Sequence, residues 1–322
     1  MLIGIENNIP KDQLRIELML GNLCNHKCSY CFPGSNEGDA PWPNLTLLTK
    51  NLCHLLDRYI EFGKKNFKLY LIGGETTLWK DLPKFCKYIK SKYDIQINIS
   101  TNGSRSTGWW FNNAECFDNV EISVHHEFAK IEHIKRVADI IYEKNIFVNC
   151  NVLFDYAYFN KCKDIVKELS KNTKRWPILA KTVLISGKTY YNDEQSEYLE
   201  NSLKRWPNPF WYFRVKKNDR LRVKLKFENG KTKTVKGDNY LMLKGLNSFK
   251  GWQCNIGVDH ISIFKDGTIK GNCMQTLYGN KFDYNLYSES FKNEFQPTIG
   301  PVMCSQKLCS CSGETIINKS LN

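Results

Sequence analysis

The chain has 322 residues, 42% of them hydrophobic and 13% aromatic, enough for one large domain or a large and a small one with a ring-rich core. No run approaches the ~18 consecutive apolar residues of a membrane span. Its start, Met1-Leu2-Ile3-Gly4-Ile5-Glu6, lacks a basic segment ahead of a long apolar one, so a cytoplasmic, reducing setting is expected. Thirteen cysteines there read as metal ligands and small buried hydrophobes, not disulfides. The net charge of +13 leaves room for an anionic partner, although the lysines are dispersed among asparagines and no arginine-rich tract or nucleic-acid module stands out.

Residues 1–13 read as a lead-in segment. The apolar run over 14–20 predicts a first strand, followed at once by Cys24-Asn25-His26-Lys27-Cys28-Ser29-Tyr30-Cys31. Three thiols in eight residues at a strand end point to a metal or iron–sulfur site. A zinc knuckle would want a fourth ligand and a symmetric pair of Cys-x-x-Cys arms, and a chance grouping is the remaining alternative. Three ligands on a four-iron cluster leave one iron open to a substrate or cofactor. Pro33-Gly34-Ser35-Asn36 and Pro41-Trp42-Pro43 carry turn chemistry. The spacing of Leu48, Cys53, Leu55, Leu56, Tyr59, Ile60 and Phe62 predicts a helix from Thr46 onward. A second strand over 67–72 runs into Gly73-Gly74-Glu75. A helix over 82–89 precedes a third strand over 95–100, ending in Thr101-Asn102-Gly103.

The alternation continues with a strand over 120–124 before His125-His126-Glu127 and a helix over 131–142. A strand over 147–153, a helix over 158–169 and a sixth strand over 178–185 follow. Such strand–helix units imply an α/β class with parallel strands, right-handed crossovers and a curved sheet. Chemistry in such sheets collects at the C-terminal strand ends, where the cysteine loop, Gly-Gly-Glu and Thr-Asn-Gly all fall.

The rhythm changes after about residue 187. A polar helical connector over 190–205 ends at Trp206-Pro207-Asn208-Pro209. Strand chemistry over 210–215 and 221–227 follows, with Glu228-Asn229-Gly230-Lys231 as a hairpin turn and 232–235 as its return. Residues 261–264, Lys265-Asp266-Gly267 and 268–270 predict a second hairpin. The expected boundary lies within 187–206, dividing the chain into 1–195 and a small, antiparallel, hairpin-rich unit over 196–322. Five cysteines fall in the last 69 residues: Cys254 and Cys273 flank the second hairpin, and Cys304, Cys309 and Cys311 lie in the tail. This unit has little hydrophobic sequence of its own, so metal ligation would contribute folding free energy. Four of these five suit a four-iron cluster, with zinc or purely structural thiols as alternatives. Cys53, Cys86, Cys116, Cys150 and Cys162 lie singly and read as ordinary core or surface residues.

Cys24-x3-Cys28-x2-Cys31, with Tyr30 before the last cysteine and Gly73-Gly74-Glu75 ending the second strand, resembles the signature of the radical S-adenosylmethionine (SAM) enzymes. The resemblance implies a partial (β/α)6 TIM-type barrel followed by a short auxiliary-cluster domain of the twitch type, related to the SPASM domain. The Cys254, Gly267, Cys273 pattern and the Cys304-x4-Cys309-x-Cys311 tail carry this second half, which implies one auxiliary [4Fe–4S] cluster. Thr76 stands where the family usually has proline, which frees φ but removes no functional group.

On that resemblance, Cys24, Cys28 and Cys31 hold a [4Fe–4S] cluster whose fourth iron chelates the methionine amino and carboxylate groups of SAM. Glu75 partners the SAM ammonium, Gly73 and Gly74 let backbone approach, and Tyr30 sits near the adenine. Ser100, Thr101 and Asn102 on the third strand end, with Ser123 and His125 on the fourth, reach the ribose or carboxylate. So does Asn149 or Asn151 on the fifth strand. Each of these polar groups also has the plainer reading of a local cap. One electron into the sulfonium gives methionine and a 5′-deoxyadenosyl radical, the cofactor carrying the hard chemistry. A flavodoxin- or ferredoxin-like reductant is implied.

The substrate expectations are a small sugar- or nucleotide-like metabolite, favoured by charge, or a ribosomally made peptide, against which stands the absence of a recognition domain ahead of the barrel. A nucleic acid stacking on Trp109, Trp110 and Phe111 or on residues 206–213 is a third. A non-catalytic electron-transfer or structural protein is the rival of another class.

Overall fold

The computed structural model describes residues 1–171, 175–183, 185, 188–204, 223–235, 239–269, 284–298, 300–304, 307–309 and 315–321. The strands expected over 210–215, Trp206, and Cys273 and Cys311 lie outside these residues. Thirteen strands are described: β1 (Leu2–Asn7), β2 (Gln13–Met19), β3 (Asn66–Ile72), β4 (Ile95–Thr101), β5 (Asn119–Val124), β6 (Phe147–Phe154), β7 (Ile178–Thr182), β8 (Val223–Phe227), β9 (Thr232–Val235), β10 (Gln253–Cys254), β11 (His260–Ile263), β12 (Val302–Met303) and β13 (Lys319–Ser320). The first sheet has the order β11-β2-β3-β4-β5-β6-β7, and every neighbouring pair in it is parallel.

Period-two patterning builds this sheet. Leu14, Ile16 and Leu18 of β2, Ile95, Ile97 and Ile99 of β4 and Val120, Ile122 and Val124 of β5 are buried in one apolar core with the covering helices. Each such buried side chain contributes roughly 1.5–3 kcal/mol. The alternate positions, Arg15, Glu17, Asn98, Ser100, Glu121, Ser123, Asn149 and Asn151, therefore point to the opposite, concave face. Helix α1 (Leu45–Glu61) turns Leu48, Leu52, Leu55, Leu56 and Tyr59 inward, and Asn44 caps it by accepting the Leu47 N–H at 3.0 Å. The covering helices α2 (Leu82–Lys92), α4 (Ile131–Glu143) and α5 (Phe159–Ser170) follow their strands as the spacing predicts; α3 (Thr107–Asn113) was not expected, and α6 (Asp193–Lys204) falls in the expected polar connector. Among the described residues, no helix is long and apolar enough to cross a membrane.

The second sheet is antiparallel, with the order β12-β10-β13-β1-β8-β9. Strand pairing crosses residue 195 in two places. The lead-in segment is strand β1, paired with β8 and β13, because Leu2 and Ile5 bury their side chains with Val223 and Leu225 in a separate core. Conversely, β11 is not an arm of a free hairpin: it pairs in parallel with β2 and makes the barrel sheet seven-stranded. All four of its residues are buried, as befits a strand covered on both faces. Over the described residues the second hairpin also forms: Ile263 bridges Ile269 antiparallel and Phe264 N–H donates to Thr268 O at 2.9 Å, around Gly267, whose φ is 81°. The second core also holds Phe249, Trp252, Ile256, Val302, Ile316 and Ile317, so this unit has more apolar material than its polar sequence suggests. The sixth strand ends at Thr182, short of residue 185.

Candidate functional site

The cysteine loop leaves β2 and continues to pair with the segment leaving β3. Leu20 N–H donates to Ile72 O at 3.2 Å, Gly74 N–H to Gly21 O at 3.0 Å and Glu75 N–H to Leu23 O at 2.8 Å. This close approach explains both glycines. A Cβ on Gly73 would lie 2.3 Å from Gly21 O, and one on Gly74 2.3 Å from Leu23 O. Gly73 also has φ 144°, a conformation that only glycine adopts cheaply. Asn22, fully buried, ties the loop's two ends together: its Nδ2 donates to Gly34 O at 2.9 Å and to Asp39, and its Oδ1 accepts Ala40 N–H at 3.0 Å. Lys265, in the turn beyond β11, reaches the same loop at Asp39 Oδ1 (2.8 Å) and Gly34 O (3.1 Å).

A cavity of ≈ 170 Å³ opens at the C-terminal ends of β2 to β5. Of the residues expected to form a site, Cys24, Cys28, Cys31, Gly73, Gly74, Ser100, Thr101, Asn102, Ser123 and His125 line it, together with His26, Ser35, Asn36 and Ile72, which were not foreseen. Burial pushes the Cys28 thiol up to about 12, with Glu127 and the neighbouring thiols adding to it; burial also raises Cys24 and Cys31. Thiols so placed bind metal with release of protons. Among the described residues no three His, Cys, Asp or Glu side chains converge as they would on one ion. A four-iron cluster instead takes each thiolate on a separate iron, which suits three cysteines spread around one cavity.

Four expected residues take other positions. The Glu75 carboxylate is fully buried behind the cavity wall and accepts from Thr77 N (3.1 Å), Thr77 Oγ1, Thr101 Oγ1 (2.7 Å) and Asn102 N (2.6 Å). Burial raises its pKa, and those hydrogen bonds pull it back. Tyr30 turns away from the cavity. Its hydroxyl meets His125 Nδ1 at 3.1 Å and its ring stacks on His126 at 5.2 Å, which stacks in turn on Tyr158 at 4.8 Å. Asn149 and Asn151 bond each other at 2.9 Å, and Asn151 reaches Glu121 at 3.2 Å, deeper on the concave face.

The loop after β5 acts as a seat for the cysteine loop. Glu127 accepts Ser29 N–H at 2.9 Å and Ser29 Oγ–H at 2.6 Å. His126 Nε2 lies 3.3 Å from Asp155 Oδ2. Burial depresses His125 to about 4, with His26 and His126 adding to it, so its imidazole is neutral at physiological pH. Thr76, in the place of proline, is buried and bonds Ser100 O at 3.4 Å, adding a tie between strand ends.

In the second unit, Cys254, Cys304 and Cys309 are buried in one core. Cys254 pairs with Val302, and Cys304 N–H donates to Trp252 O at 2.7 Å, so the two thiols lie on one face of adjacent strands. Asn247 brackets Cys309, accepting its N–H at 2.8 Å and donating to its carbonyl at 2.9 Å.

Residues 18–141 match the model of the Radical SAM superfamily. That segment carries a radical SAM domain. The cofactors of such a domain are a [4Fe–4S] cluster and SAM. A GTP 3',8-cyclase of Haemophilus influenzae is 34% identical over 91 residues, 28% of this chain and 26% of that protein. Another, of Psychromonas ingrahamii, is 32% identical over 137 residues, 41% of this chain and 37% of that protein. The chain thus spans well under half the length of these curated relatives. Among solved structures, anSMEcpe with bound AdoMet superposes with a TM-score of 0.53 at 16% identity, covering 89% of this chain and 78% of that one. Streptococcus suis SuiB bound to precursor peptide SuiA gives 0.51 at 14% identity, covering 91% and 67%. At these identities the likeness is one of fold.

Proposed function

We propose that the chain is a radical SAM enzyme that abstracts hydrogen from a small, nucleotide-like substrate, with net oxidation assisted by an auxiliary cluster. The carrying observation is the convergence of Cys24, Cys28 and Cys31 with the Gly73-Gly74 ledge on one cavity at the strand ends. The three thiolates hold the cluster. When bound, it supplies an electron to the SAM sulfonium, giving methionine and a 5′-deoxyadenosyl radical that takes hydrogen from an unactivated carbon. The ledge offers backbone groups to the methionine end of SAM, while Ser100, Asn102, Ser123 and His125 line the walls for its ribose and carboxylate. Because His125 is neutral and its Nδ1 faces the Tyr30 hydroxyl, it offers a hydrogen bond without adding charge beside the sulfonium. Seating of the cysteine loop by Glu127, His126 and Asn22 keeps the thiol-bearing backbone fixed through the reaction. Cys254, Cys304 and Cys309 supply ligands to the auxiliary cluster, with Cys273 or Cys311 as the fourth. A flavodoxin- or ferredoxin-like protein delivers electrons.

The nucleotide-like substrate is supported by the partial match to GTP 3',8-cyclases and by the net charge of +13. A ribosomal peptide is the second reading, supported by the fold shared with SuiB over 91% of this chain. The reconstituted protein, incubated anaerobically with SAM, reductant and deuterated candidate substrates, tests the proposal. Deuterium in 5′-deoxyadenosine from a nucleotide supports it, transfer from a peptide selects the second reading, and intact SAM beside a reduced cluster refutes both.

A further inference from the structure

Glu75 stands just beyond β3 and Asn102 just beyond β4, and hydrogen bonds link them in series to the first thiol. Glu75 Oε1 is saturated by Thr77 and Thr101, and Oε2 accepts the Asn102 backbone N–H at 2.6 Å. The Asn102 side chain has one orientation consistent with its neighbours. Its Oδ1 accepts Ser104 N–H at 2.9 Å, which leaves Nδ2 to donate to Asn25 Oδ1 at 2.9 Å and to approach Cys24 Sγ at 3.8 Å. His26 N–H reaches the same sulfur at 3.3 Å. Asn102 is only 6% exposed and Glu75 is fully buried, so the bond between them is not shared with bulk water.

We propose that Asn102 is a positioning residue for the Cys24 thiolate, donating an N–H to its sulfur, and that Glu75 acts through Asn102 in setting that bond. The inference rests on the reading of Cys24 as a cluster ligand. A hydrogen bond to a ligating sulfur stabilises the extra negative charge of the reduced cluster, so it sets the reduction potential. Outer-shell partners of this kind also hold a ligand in its binding orientation. The Glu75 bond fixes the Asn102 backbone, from which the amide is aimed.

The test measures the EPR-monitored midpoint potential of the SAM-free cluster in the reconstituted full chain, with SAM Kd measured in parallel. Asn102→Ser keeps a side chain able to serve the Ser104 turn but loses the N–H to sulfur; Asn102→Leu removes both. In Glu75→Gln an amide NH2 can face the Asn102 N–H, opposing donor to donor. The expected result is a negative shift of the potential in all three variants at wild-type iron content. Combining Glu75→Gln with Asn102→Leu should shift it no further than Asn102→Leu alone. Unchanged potentials in the loaded Asn102 variants overturn the inference. So does a Glu75→Gln protein whose SAM Kd rises while its SAM-free potential stays put. A wild-type chain that takes up no cluster overturns the underlying reading instead.

Discussion

Gly74→Ala isolates the close approach that docks the cysteine loop, because it adds one methyl group against backbone. The new Cβ would stand 2.3 Å from Leu23 O and 2.6 Å from Leu23 C, so that peptide must retreat about 0.7 Å to reach even the 3.0 Å floor of real Cβ contacts. Such a retreat breaks the Gly74 N–H to Gly21 O and Glu75 N–H to Leu23 O bonds. At about 0.5–1.5 kcal/mol each, their loss amounts to roughly 1–3 kcal/mol. Leu23 adjoins Cys24, so the displacement passes directly to the first thiol. The control is Gly63→Ala: Gly63 has φ 86° but nothing within 4 Å of its Cβ position, so it carries backbone strain without a clash. Urea denaturation and iron and sulfide content after anaerobic reconstitution should show both variants destabilised, with cluster loss confined to Gly74→Ala. Full cluster loading in Gly74→Ala at wild-type stability would refute the reasoning.

The seat beneath the loop gives further expectations. His126→Leu deprives buried Asp155 Oδ2 of its partner and breaks the ring stack with Tyr30, costing about 1–3 kcal/mol; denaturant midpoints measure it, and an unchanged midpoint contradicts the seat. The depressed His125 contributes a definite pH dependence. Its folded value of about 4 lies below the ordinary 6.5, so the unfolded chain binds the proton first. Its stabilisation is present above pH 6.5 and is lost as pH falls toward 4, by about 3 kcal/mol. His125→Gln should flatten that slope in a pH series of denaturation midpoints; an unaltered slope would show that the burial of His125 is not its source. Because burial raises all three loop thiols, cluster assembly should proceed more completely at pH 8.5 than at pH 7. Absorbance of the reconstituted cluster across that range checks the sign.

The barrel was legible because its strands alternate with period two and its helices keep a 3.6-residue spacing, as in residues 95–99 and Leu48 to Tyr59. The cysteine loop and the two glycines were legible because local spacing alone carries their chemistry. Where the outcome depends on distant partners, the reading failed. Leu2 to Ile5 looked like a lead-in because its strand partners lie more than 200 residues away in β8 and β13. Ile261 to Phe264 was legible as a hairpin arm, but the parallel pairing of β11 with β2 was not, because that partner lies at the far end of the chain. The hydrogen bonds that bury Glu75 were not legible because Thr101 and Asn102, which supply them, come from the next strand end. Thr101 was legible as a polar residue at the third strand end, but its bond to Glu75 was not. A composition-based view of the second unit missed its core, since Phe249, Trp252 and Ile316 are scattered among polar residues and meet only in the fold.

The central claim is that Cys24, Cys28 and Cys31 hold a cluster that cleaves SAM. Its most direct test is the formation of 5′-deoxyadenosine by the anaerobically reconstituted, reduced protein beside a variant with all three cysteines changed to alanine. The account predicts 5′-deoxyadenosine and methionine in equal amounts from the wild type and none from the variant, even where the variant retains iron at its C-terminal cysteines. Equal SAM cleavage by both proteins, or none by a fully loaded and reduced wild type, would contradict it.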